Sequence, residues 1–385
     1  MSNAPQAPLS LYIHLPWCVR KCPYCDFNSY TAGDKAPRAR YLNALKTDLA
    51  AEAERAGKRP LVSVFLGGGT PSLFTPDEIA GLLKAVREQY VLADDVEITM
   101  EANPGTVECG DPAGYRRAGV NRLSIGAQSF SPTSLAVLGR IHSVDDIGRA
   151  VRAATAAGFS NINIDLMYAL PGQNGAAALF DIEQAASLEP QHLSWYQLTL
   201  EPNTVFHARP PAGLPGEEIS FDIQQRGQQR LAELGYEQYE VSAYARNDMK
   251  SVHNLNYWSF GDYLAVGAGA HGKITNGEGI WRYAKIANPQ QYMEQQERRG
   301  DVPTLKPVDG DDRLFEFLLN ALRLTDGFDA QLFESRTGLL ADSLRQRLEP
   351  VIKKGLIVSQ GKLSWRATPL GQRFLNDLQA EFLPD

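Results

Sequence analysis

The feature that most constrains the fold is an alternation of short apolar runs with longer amphipathic segments between residue 9 and about residue 200. The apolar runs are rich in β-branched or aromatic residues, and most end in Gly, Pro, Asn or Gln, as parallel strands do where they enter a loop. The predicted strands cover residues 9–15, 61–67, 95–101, 121–127, 161–167 and 192–198. The predicted helices cover residues 39–55, 76–89, 144–157 and 176–188. This repeat predicts an α/β barrel or a doubly wound sheet, with the functional site at the C-terminal ends of the strands.

The rest of the chain predicts two further parts. Residues 202–303 are less regular, and we expect them to complete and connect the α/β part. After a boundary at 303–312, the pattern predicts three helices, a short hairpin around 356–365 and one final helix over 369–382. Three helices followed by a β wing resemble a winged-helix-like module. The predicted division is therefore 1–200, 201–303 and 304–385.

Composition bears on partners and location. The chain carries 45 acidic and 38 basic residues, for a net charge of −7, which argues against a nucleic-acid partner because such proteins usually present a basic face. The C-terminal module has no basic recognition helix, so we expect it to pack or to contact protein. The first ten residues do not have the pattern of a signal peptide, and no window reaches the roughly 18 consecutive apolar residues of a membrane span. We therefore expect a cytosolic protein.

Three of the four cysteines fall within eight residues, immediately after the first predicted strand. Cys18, Cys22 and Cys25 have the spacing C-x3-C-x2-C, and three thiolates on one loop can each hold one iron of a [4Fe–4S] cluster. The alternatives are three buried structural thiols, or a zinc site completed by His14 or Cys109. Zinc sites usually show two pairs of ligands, and no second pair occurs here.

The residues next to these cysteines carry positive charge. Arg20 and Lys21 lie within the same loop. Cationic neighbours lower the pKa of a thiol, so we expect them to favour the thiolate form that binds metal.

From these residues onward, the chain resembles the radical S-adenosylmethionine (SAM) superfamily, whose signature is this cysteine spacing. More closely, it resembles the branch that contains the oxygen-independent coproporphyrinogen III oxidases and the HemW-type heme chaperones. The resemblance implies a partial (β/α)6 TIM-like barrel and a SAM molecule chelated by the fourth iron of the cluster. It also implies that one-electron reduction can cleave SAM to a 5′-deoxyadenosyl radical. The motifs that carry the resemblance are YIHLPWC (12–18), GGGTPS (67–72), EANPG (101–105), SIGAQSF (124–130), LGRIH (138–142) and DLMYALPGQ (165–173).

The motifs also have a physical reading. The glycines of GGGT let a backbone without side chains approach a ligand. Glu101 and Asp165 end strands in apolar surroundings, where an unpaired carboxylate is costly, so we expect a ligand amine, ribose hydroxyls or Arg140 to pair with them. By resemblance, the glycine loop contacts the methionine amino end of SAM, and Tyr24 lies beside the cluster. The residues implied to surround SAM are Tyr12, Tyr24, Gly68, Gly69, Thr70, Glu101, Gln128, Arg140 and Asp165.

Two departures separate the chain from the oxidases of this branch. Those oxidases carry a fourth cysteine two positions after the third, where this chain has Phe27. They also usually have a longer region before the first barrel strand than the 11 residues that precede Tyr12. Both departures resemble the heme chaperones.

A histidine motif also points to heme. The stretch His253-Asn-Leu-Asn-Tyr-Trp258 matches the HNxxYW motif of the heme-chaperone group. A histidine nitrogen can serve as an axial ligand of heme iron, and the two aromatic rings offer flat apolar surface. We expect His253 to be the heme ligand, with His271 as the competing candidate.

The resemblance therefore implies a SAM- and [4Fe–4S]-binding heme chaperone that passes heme to apoproteins, with membrane respiratory enzymes as candidate recipients. Whether SAM is cleaved in this role stays open, and a homodimer is compatible with it. The expected location is the cytoplasm, with association at the inner membrane face through partners. The alternatives are a coproporphyrinogen III oxidase, which would decarboxylate propionate side chains by radical chemistry, and a zinc-containing scaffold.

Overall fold

The structure is a computed structural model of the protein, and it describes residues 7–33, 36–105, 110–298 and 303–384. The described strands are β1 (Leu9–Leu15), β2 (Trp17–Cys18), β3 (Tyr30–Thr31), β4 (Leu61–Gly68), β5 (Leu92–Ala102), β6 (Arg122–Gln128), β7 (Ile162–Tyr168), β8 (His192–Gln197), β9 (Glu237–Glu240), β10 (Ala243–Ala245), β11 (Asp262–Val266), β12 (His271–Asn276), β13 (Gly279–Ala284), β14 (Lys306–Val308), β15 (Phe328–Asp329), β16 (Ile357–Ser359) and β17 (Ser364–Ala367). The described helices are α1 (Arg38–Ala56), α2 (Pro76–Gln89), α3 (Pro112–Ala118), α4 (Pro132–Val137), α5 (Val144–Ala156), α6 (Gly175–Ser187), α7 (Val205–Ala208), α8 (Glu217–Glu233), α9 (Val252–Trp258), α10 (Pro289–Glu297), α11 (Gly310–Ala321), α12 (Ala330–Thr337), α13 (Ala341–Lys353), α14 (Pro369–Arg373) and α15 (Leu375–Ala380).

The central sheet follows the chain in order. Twelve of the described strands form one sheet, in the order β14-β13-β12-β11-β1-β4-β5-β6-β7-β8-β10-β9. The six predicted strands are its middle, and each pairs in parallel with the next. A doubly wound sheet would reverse its strand order at a switch point, whereas a barrel winds in one direction. The sheet therefore confirms the α/β class and the partial six-stranded TIM-like barrel, and excludes the doubly wound alternative.

The helices between these strands begin and pack where the sequence pattern predicts. In α2, Thr75 and Glu78 form a capping box, and Pro76 occupies the first helical position. The buried side chains of α2 are Ile79, Leu82, Leu83 and Val86, which share one face of a helix with 3.6 residues per turn. This apolar face covers the outside of the barrel strands, so the inside is left to face the site.

Two regions differ from the expectation. Residues 262–308, which seemed irregular in sequence, supply β11–β14 and extend the sheet beyond β1. The single helix predicted over 369–382 is wrong, because α14 and α15 are separated at Phe374, whose φ of −110° and ψ of 45° are not helical. The break lets Leu375 and Leu378 turn into the core of the C-terminal module.

The C-terminal module has a core of its own. Buried residues from Leu314 to Phe382 pack together, and this cluster also includes Phe260 and Ile280 from the sheet part. The three-stranded sheet β15-β17-β16 forms the expected wing. The division of the chain into 1–200, 201–303 and 304–385 stays a prediction. Within the described ranges, no helix is both long and apolar enough to cross a membrane.

Two helical glycines provide a matched test of how α8 packs on the barrel. A Cβ atom at Gly227 of α8 would lie 1.9 Å from the Trp195 ring, whereas a Cβ at Gly81 of α2 would meet nothing nearer than 4.0 Å. We expect Gly227→Ala to destabilise the protein by roughly 1–3 kcal/mol, because Trp195 is buried and cannot move aside. Gly81→Ala should stabilise it by up to about 1 kcal/mol, since alanine is the better helix former. Urea denaturation measures both, and equal midpoints for the two variants would contradict the packing of α8.

Candidate functional site

One cavity of about 540 Å³ opens at the C-terminal ends of the barrel strands. This is the end at which barrels of this class place their sites. Its lining combines the cysteine loop, the loop after β4 and the last residues of β5, β6 and β7. The predicted site residues that line it are Cys18, Cys22, Tyr24, Cys25, Gly68, Gly69, Thr70, Glu101, Gln128, Arg140 and Asp165.

The cysteine loop is held at its base by short strands. β2 and β3 pair in parallel, and Ala32 N–H donates to the Cys18 carbonyl at 2.7 Å. Thr70 N–H donates to the Trp17 carbonyl at 2.8 Å, which fixes the loop against the glycine-rich segment. Cys25 N–H donates to the Cys22 carbonyl at 3.2 Å and closes a turn between them. The three thiols therefore sit on a backbone that is already folded.

Burial, and not neighbouring charge, has the largest effect on the pKa of Cys18 and of Cys25. Desolvation raises the pKa of Cys18 to about 11 and raises the pKa of Cys25 above its ordinary value. The Lys21 ammonium donates to the Phe27 carbonyl at 3.0 Å and only weakly opposes the effect of burial on Cys25. Lys21 therefore acts on Cys25 in the expected direction, but burial outweighs it, and Cys18 and Cys25 are not acidic thiols in the metal-free protein. Metal binding itself would have to displace the thiol protons.

The geometry disfavours a mononuclear zinc site. Among the described residues, no group of three or more His, Cys, Asp or Glu side chains is arranged to hold a single metal ion. A cubane cluster differs, because each thiolate binds a different iron. His14 is also engaged: Nε2 donates to the Asn28 carbonyl at 2.9 Å, which leaves Nδ1 to accept from the Tyr12 hydroxyl at 2.9 Å. Cys109, the other predicted zinc candidate, lies outside the described residues.

The loop after β4 requires glycine. Gly68 has φ of 110°, and a Cβ there would lie 2.2 Å from the His14 ring. A Cβ at Gly69 would lie 2.6 Å from the Trp17 carbonyl oxygen. Only residues without side chains fit, so the backbone of this loop faces the cavity directly.

Glu101 is enclosed at the end of β5. One carboxylate oxygen accepts a hydrogen bond from Gly68 N–H at 3.0 Å. Burial raises its pKa to about 8, and the nearby Asp165 adds to the increase. The carboxyl is therefore largely protonated in the metal-free protein at neutral pH, and an arriving cation would favour its ionised form.

Asp165 has more partners. Asn163 donates to it at 2.8 Å and Ser124 at 3.0 Å. Burial nevertheless raises its pKa above the ordinary value. Among the described contacts of these two carboxylates, none involves Arg140, which was one of the three expected partners. Arg140 instead donates to Asn103 and to the Gly126 carbonyl, and it approaches the Cys22 sulfur at 3.6 Å.

Gln128 ends β6 in a backbone conformation that is uncommon for a residue with a side chain. Its φ is 70°, and its side-chain oxygen accepts a hydrogen bond from the Tyr196 hydroxyl at 2.8 Å. Such strain persists only where neighbouring structure imposes it, and it is common at binding sites.

The two predicted tyrosines differ in whether they line the cavity. Tyr24 lines the cavity beside Cys22, and its ring packs near Phe206 with centroids 6.4 Å apart. Tyr12 does not line the cavity, because its hydroxyl is bound to His14 and its ring stacks on Phe65 at 6.2 Å.

The HNxxYW stretch forms α9, beneath the cavity. His253 is 2% exposed and does not line the cavity. Its ring stacks on Phe65 at 4.9 Å and meets Tyr257 edge to face at 4.8 Å. Burial lowers its pKa to about 3, so the imidazole is neutral. His271 begins β12 and is exposed.

Sequence reasoning missed several polar residues that line the cavity. A signal for them exists in the strands: Asn163 and Asp165 alternate along β7, as Ser194 and Tyr196 do along β8. Alternate residues of a strand face the same side, so polar residues at these positions mark a polar barrel interior. The residues missed are Asn103, Arg122, Ser124, Asn163, Ser194, Tyr196 and Asn254.

Comparison with known proteins identifies two families that match parts of the chain. Residues 12–182 match the radical SAM superfamily, and residues 308–374 match the HemN C-terminal domain. The chain is 46% identical to the heme chaperone HemW of Haemophilus influenzae, over 98% of each chain. It is also 46% identical to the heme chaperone HemW of Escherichia coli, over 98% of this chain and 99% of the relative.

More distant relatives extend the comparison. The heme chaperone HemW of Bacillus subtilis is 34% identical over 90% of this chain and 92% of its own length. Among solved structures, the coproporphyrinogen III oxidase HemN of Escherichia coli, described as a radical SAM enzyme, matches with a TM-score of 0.82 at 26% identity, over 98% of this chain and 90% of that chain.

The first prediction from this site concerns the cluster. Cys22→Ala should abolish the visible absorption that anaerobic reconstitution with iron and sulfide produces, because two thiolates on the loop cannot hold three irons. Cys109→Ala is the matched control and should retain the absorption. An unchanged spectrum in Cys22→Ala would refute the assignment of Cys22 as a ligand.

The second prediction concerns Glu101 in the metal-free protein. Its pKa is raised to about 8 in the folded state from an ordinary value of 4.5. Between these values the folded state keeps a proton that the unfolded state has released, so this residue lowers the free energy of unfolding as the pH rises. Relative to Glu101→Gln, the wild-type protein should lose roughly 1–3 kcal/mol of stability between about pH 5 and pH 8. Denaturation midpoints that run parallel across this range would contradict the assignment.

Proposed function

The chain belongs to the radical SAM superfamily and, within it, to the family of HemW heme chaperones, and from that premise we propose that it binds heme and delivers it to apoproteins. The observation that carries the proposal is the similarity to the two HemW chaperones, which extends over nearly the whole chain. It includes both the barrel and the C-terminal module.

The cavity residues fit the cofactors of the superfamily. We infer that Cys18, Cys22 and Cys25 hold a [4Fe–4S] cluster, because three soft sulfur ligands project from one prefolded loop. When bound and reduced, such a cluster would supply the electron needed for any cleavage of SAM. The glycine loop then offers backbone groups to the methionine end of SAM, and the buried carboxyl of Glu101 can accept a hydrogen bond from its ammonium.

The remaining cavity residues complete this proposed cofactor site. The carboxylate of Asp165 would accept hydrogen bonds from the ribose hydroxyls. Arg140, held by Asn103 against Cys22, contributes positive charge beside the cluster ligands. Thr70 accepts a hydrogen bond from Asn103 at 2.9 Å, so one amide side chain supports both the glycine loop and the arginine.

The wider proposal concerns cargo and partners. We infer that heme is the cargo, that membrane respiratory enzymes are recipients, and that the protein acts in the cytoplasm, reaching the inner membrane face through these partners. A homodimer is compatible with this role. Residues 1–200 would carry the cofactors, 201–303 the candidate heme motif, and 304–385 a contact module.

A second candidate is the oxygen-independent coproporphyrinogen III oxidase. The overall similarity to the HemN structure favours it. Against it stands Phe27, more than half exposed, at the position of the fourth cysteine of those oxidases. The lower identity to HemN than to the HemW chaperones points the same way.

The test offers reconstituted protein two substrates. We expect saturable heme binding, and no conversion of coproporphyrinogen III to protoporphyrinogen in the presence of SAM and reductant. Absorption titration measures the first and chromatography of the porphyrins the second. Sustained decarboxylation would overturn the chaperone proposal in favour of the oxidase.

The same titration separates the candidate heme ligands. His253→Ala and His271→Ala are compared with the wild-type protein by the Soret spectrum. If one variant loses the low-spin features of the heme spectrum, the residue replaced in it is the axial ligand. If both variants keep the wild-type spectrum, another residue is the axial ligand.

A further inference from the structure

The floor of the cavity carries polar side chains that the proposed function does not use. Arg122 begins β6 and Gln128 ends it, so the two lie about 20 Å apart along the strand. The cavity reaches both. Below the proposed SAM residues, therefore, the same cavity continues down to the N-terminal part of the barrel.

The guanidinium of Arg122 is buried there without a hydrogen bond. Its side chain is 3% exposed, and no described residue accepts a hydrogen bond from it. The nearest carboxylate oxygen, on Glu97, is 3.8 Å from Nε. A guanidinium carries five N–H donors, and leaving them unpaired in the interior is costly.

Glu97 is not free to supply the missing acceptors. Its carboxylate accepts from the backbone N–H groups of Val252 at 3.0 Å and His253 at 3.1 Å, and from the Ser251 hydroxyl at 3.4 Å. These bonds tie it to the start of α9. The Glu97 carboxylate partly offsets the charge of Arg122, but it does not accept a hydrogen bond from the guanidinium.

Other polar groups at the same level are also unpaired. The Thr99 hydroxyl, directly opposite Arg122 in the register of β5 and β6, is buried without a partner. The Asn254 side chain lines the cavity and makes no hydrogen bond to a described residue. The guanidinium of Arg122 and the amide of Asn254 therefore line one cavity, and neither donates a hydrogen bond to a described residue.

We propose that the cavity floor is a carboxylate-binding subsite, in which the guanidinium of Arg122 and the amide of Asn254 hold the two oxygens of a ligand carboxylate. A planar two-oxygen anion matches the guanidinium fork. Glu97 lies close enough to disfavour a doubly charged phosphate, so a single negative charge is preferred. This subsite goes beyond the proposed function, because the methionine carboxylate of SAM belongs at the cluster, at the opposite end of the cavity.

Propionate, titrated against the full-length protein by saturation-transfer NMR, is the probe. We expect saturable binding to the wild-type protein and a loss of about tenfold or more in affinity in Arg122→Met. Arg122→Lys, which keeps the charge but not the fork, should fall between them. Arg152→Met removes an exposed arginine of α5, outside the cavity, and should bind within about twofold of the wild-type protein.

Three results would overturn the proposal. Non-saturable binding to the wild-type protein, or equal affinity in Arg122→Met, would mean that only water occupies the floor. If Arg122→Met does not fold, Arg122→Lys and Asn254→Ala answer the same question. Parallel losses of propionate and SAM affinity in the reconstituted variant would place Arg122 in the cofactor site and also overturn a separate subsite.

A last comparison identifies the source of the carboxylate. If the bound group is a propionate arm of heme, Arg122→Met should weaken heme binding but not binding of heme dimethyl ester. If Arg122→Met changes the binding of heme and of heme dimethyl ester to the same extent, the ligand of the subsite is a small free acid. Failure of the wild-type protein to bind heme would refute the proposed function and leave the propionate result standing.

Discussion

The structure depends on finding partners for the charged and polar side chains that are buried inside the barrel. Each central strand brings at least one polar side chain inward, and an unpaired buried carboxylate or guanidinium costs more than a single ordinary hydrogen bond returns. The local architecture follows from this constraint. Gly68 must be a glycine with positive φ so that its N–H can reach Glu101, and Asn163 and Ser124 must be polar because Asp165 is ionisable.

The need to pair buried polar groups also explains why one side chain forms hydrogen bonds to both a loop and a strand end. Asn103 accepts from Arg140 and donates to Thr70, so one side chain connects the positive charge beside the cysteines to the glycine loop. Gln128 tolerates an uncommon backbone conformation while its side chain is fixed by Tyr196. A preorganised site of this kind does not need to reorganise for a ligand, which lowers the free-energy cost of binding.

Much of the fold could be predicted from sequence because the parallel strands are buried on both faces and the intervening helices on one. Those two patterns identified all six barrel strands. The C-terminal break at Phe374 and the strands of residues 262–308 could not be predicted, because tertiary packing and not local pattern decides them. The cysteine spacing predicted the position of its loop, but not that burial would raise the pKa of Cys18 despite nearby cations.

The heme motif shows how structure sharpens a sequence assignment. Ser63 donates its proton to Ser10, so it accepts from Nδ1–H of His253, which leaves Nε2 as a bare lone pair. That tautomer leaves Nε2 available as a ligand atom. The ring is nevertheless enclosed, and α9 is tied to the barrel by Glu97 and to the C-terminal module by Arg323, whose guanidinium lies 4.2 Å from the Trp258 ring. While α9 stays in this position, His253 is therefore not accessible to heme iron. His271 is already exposed.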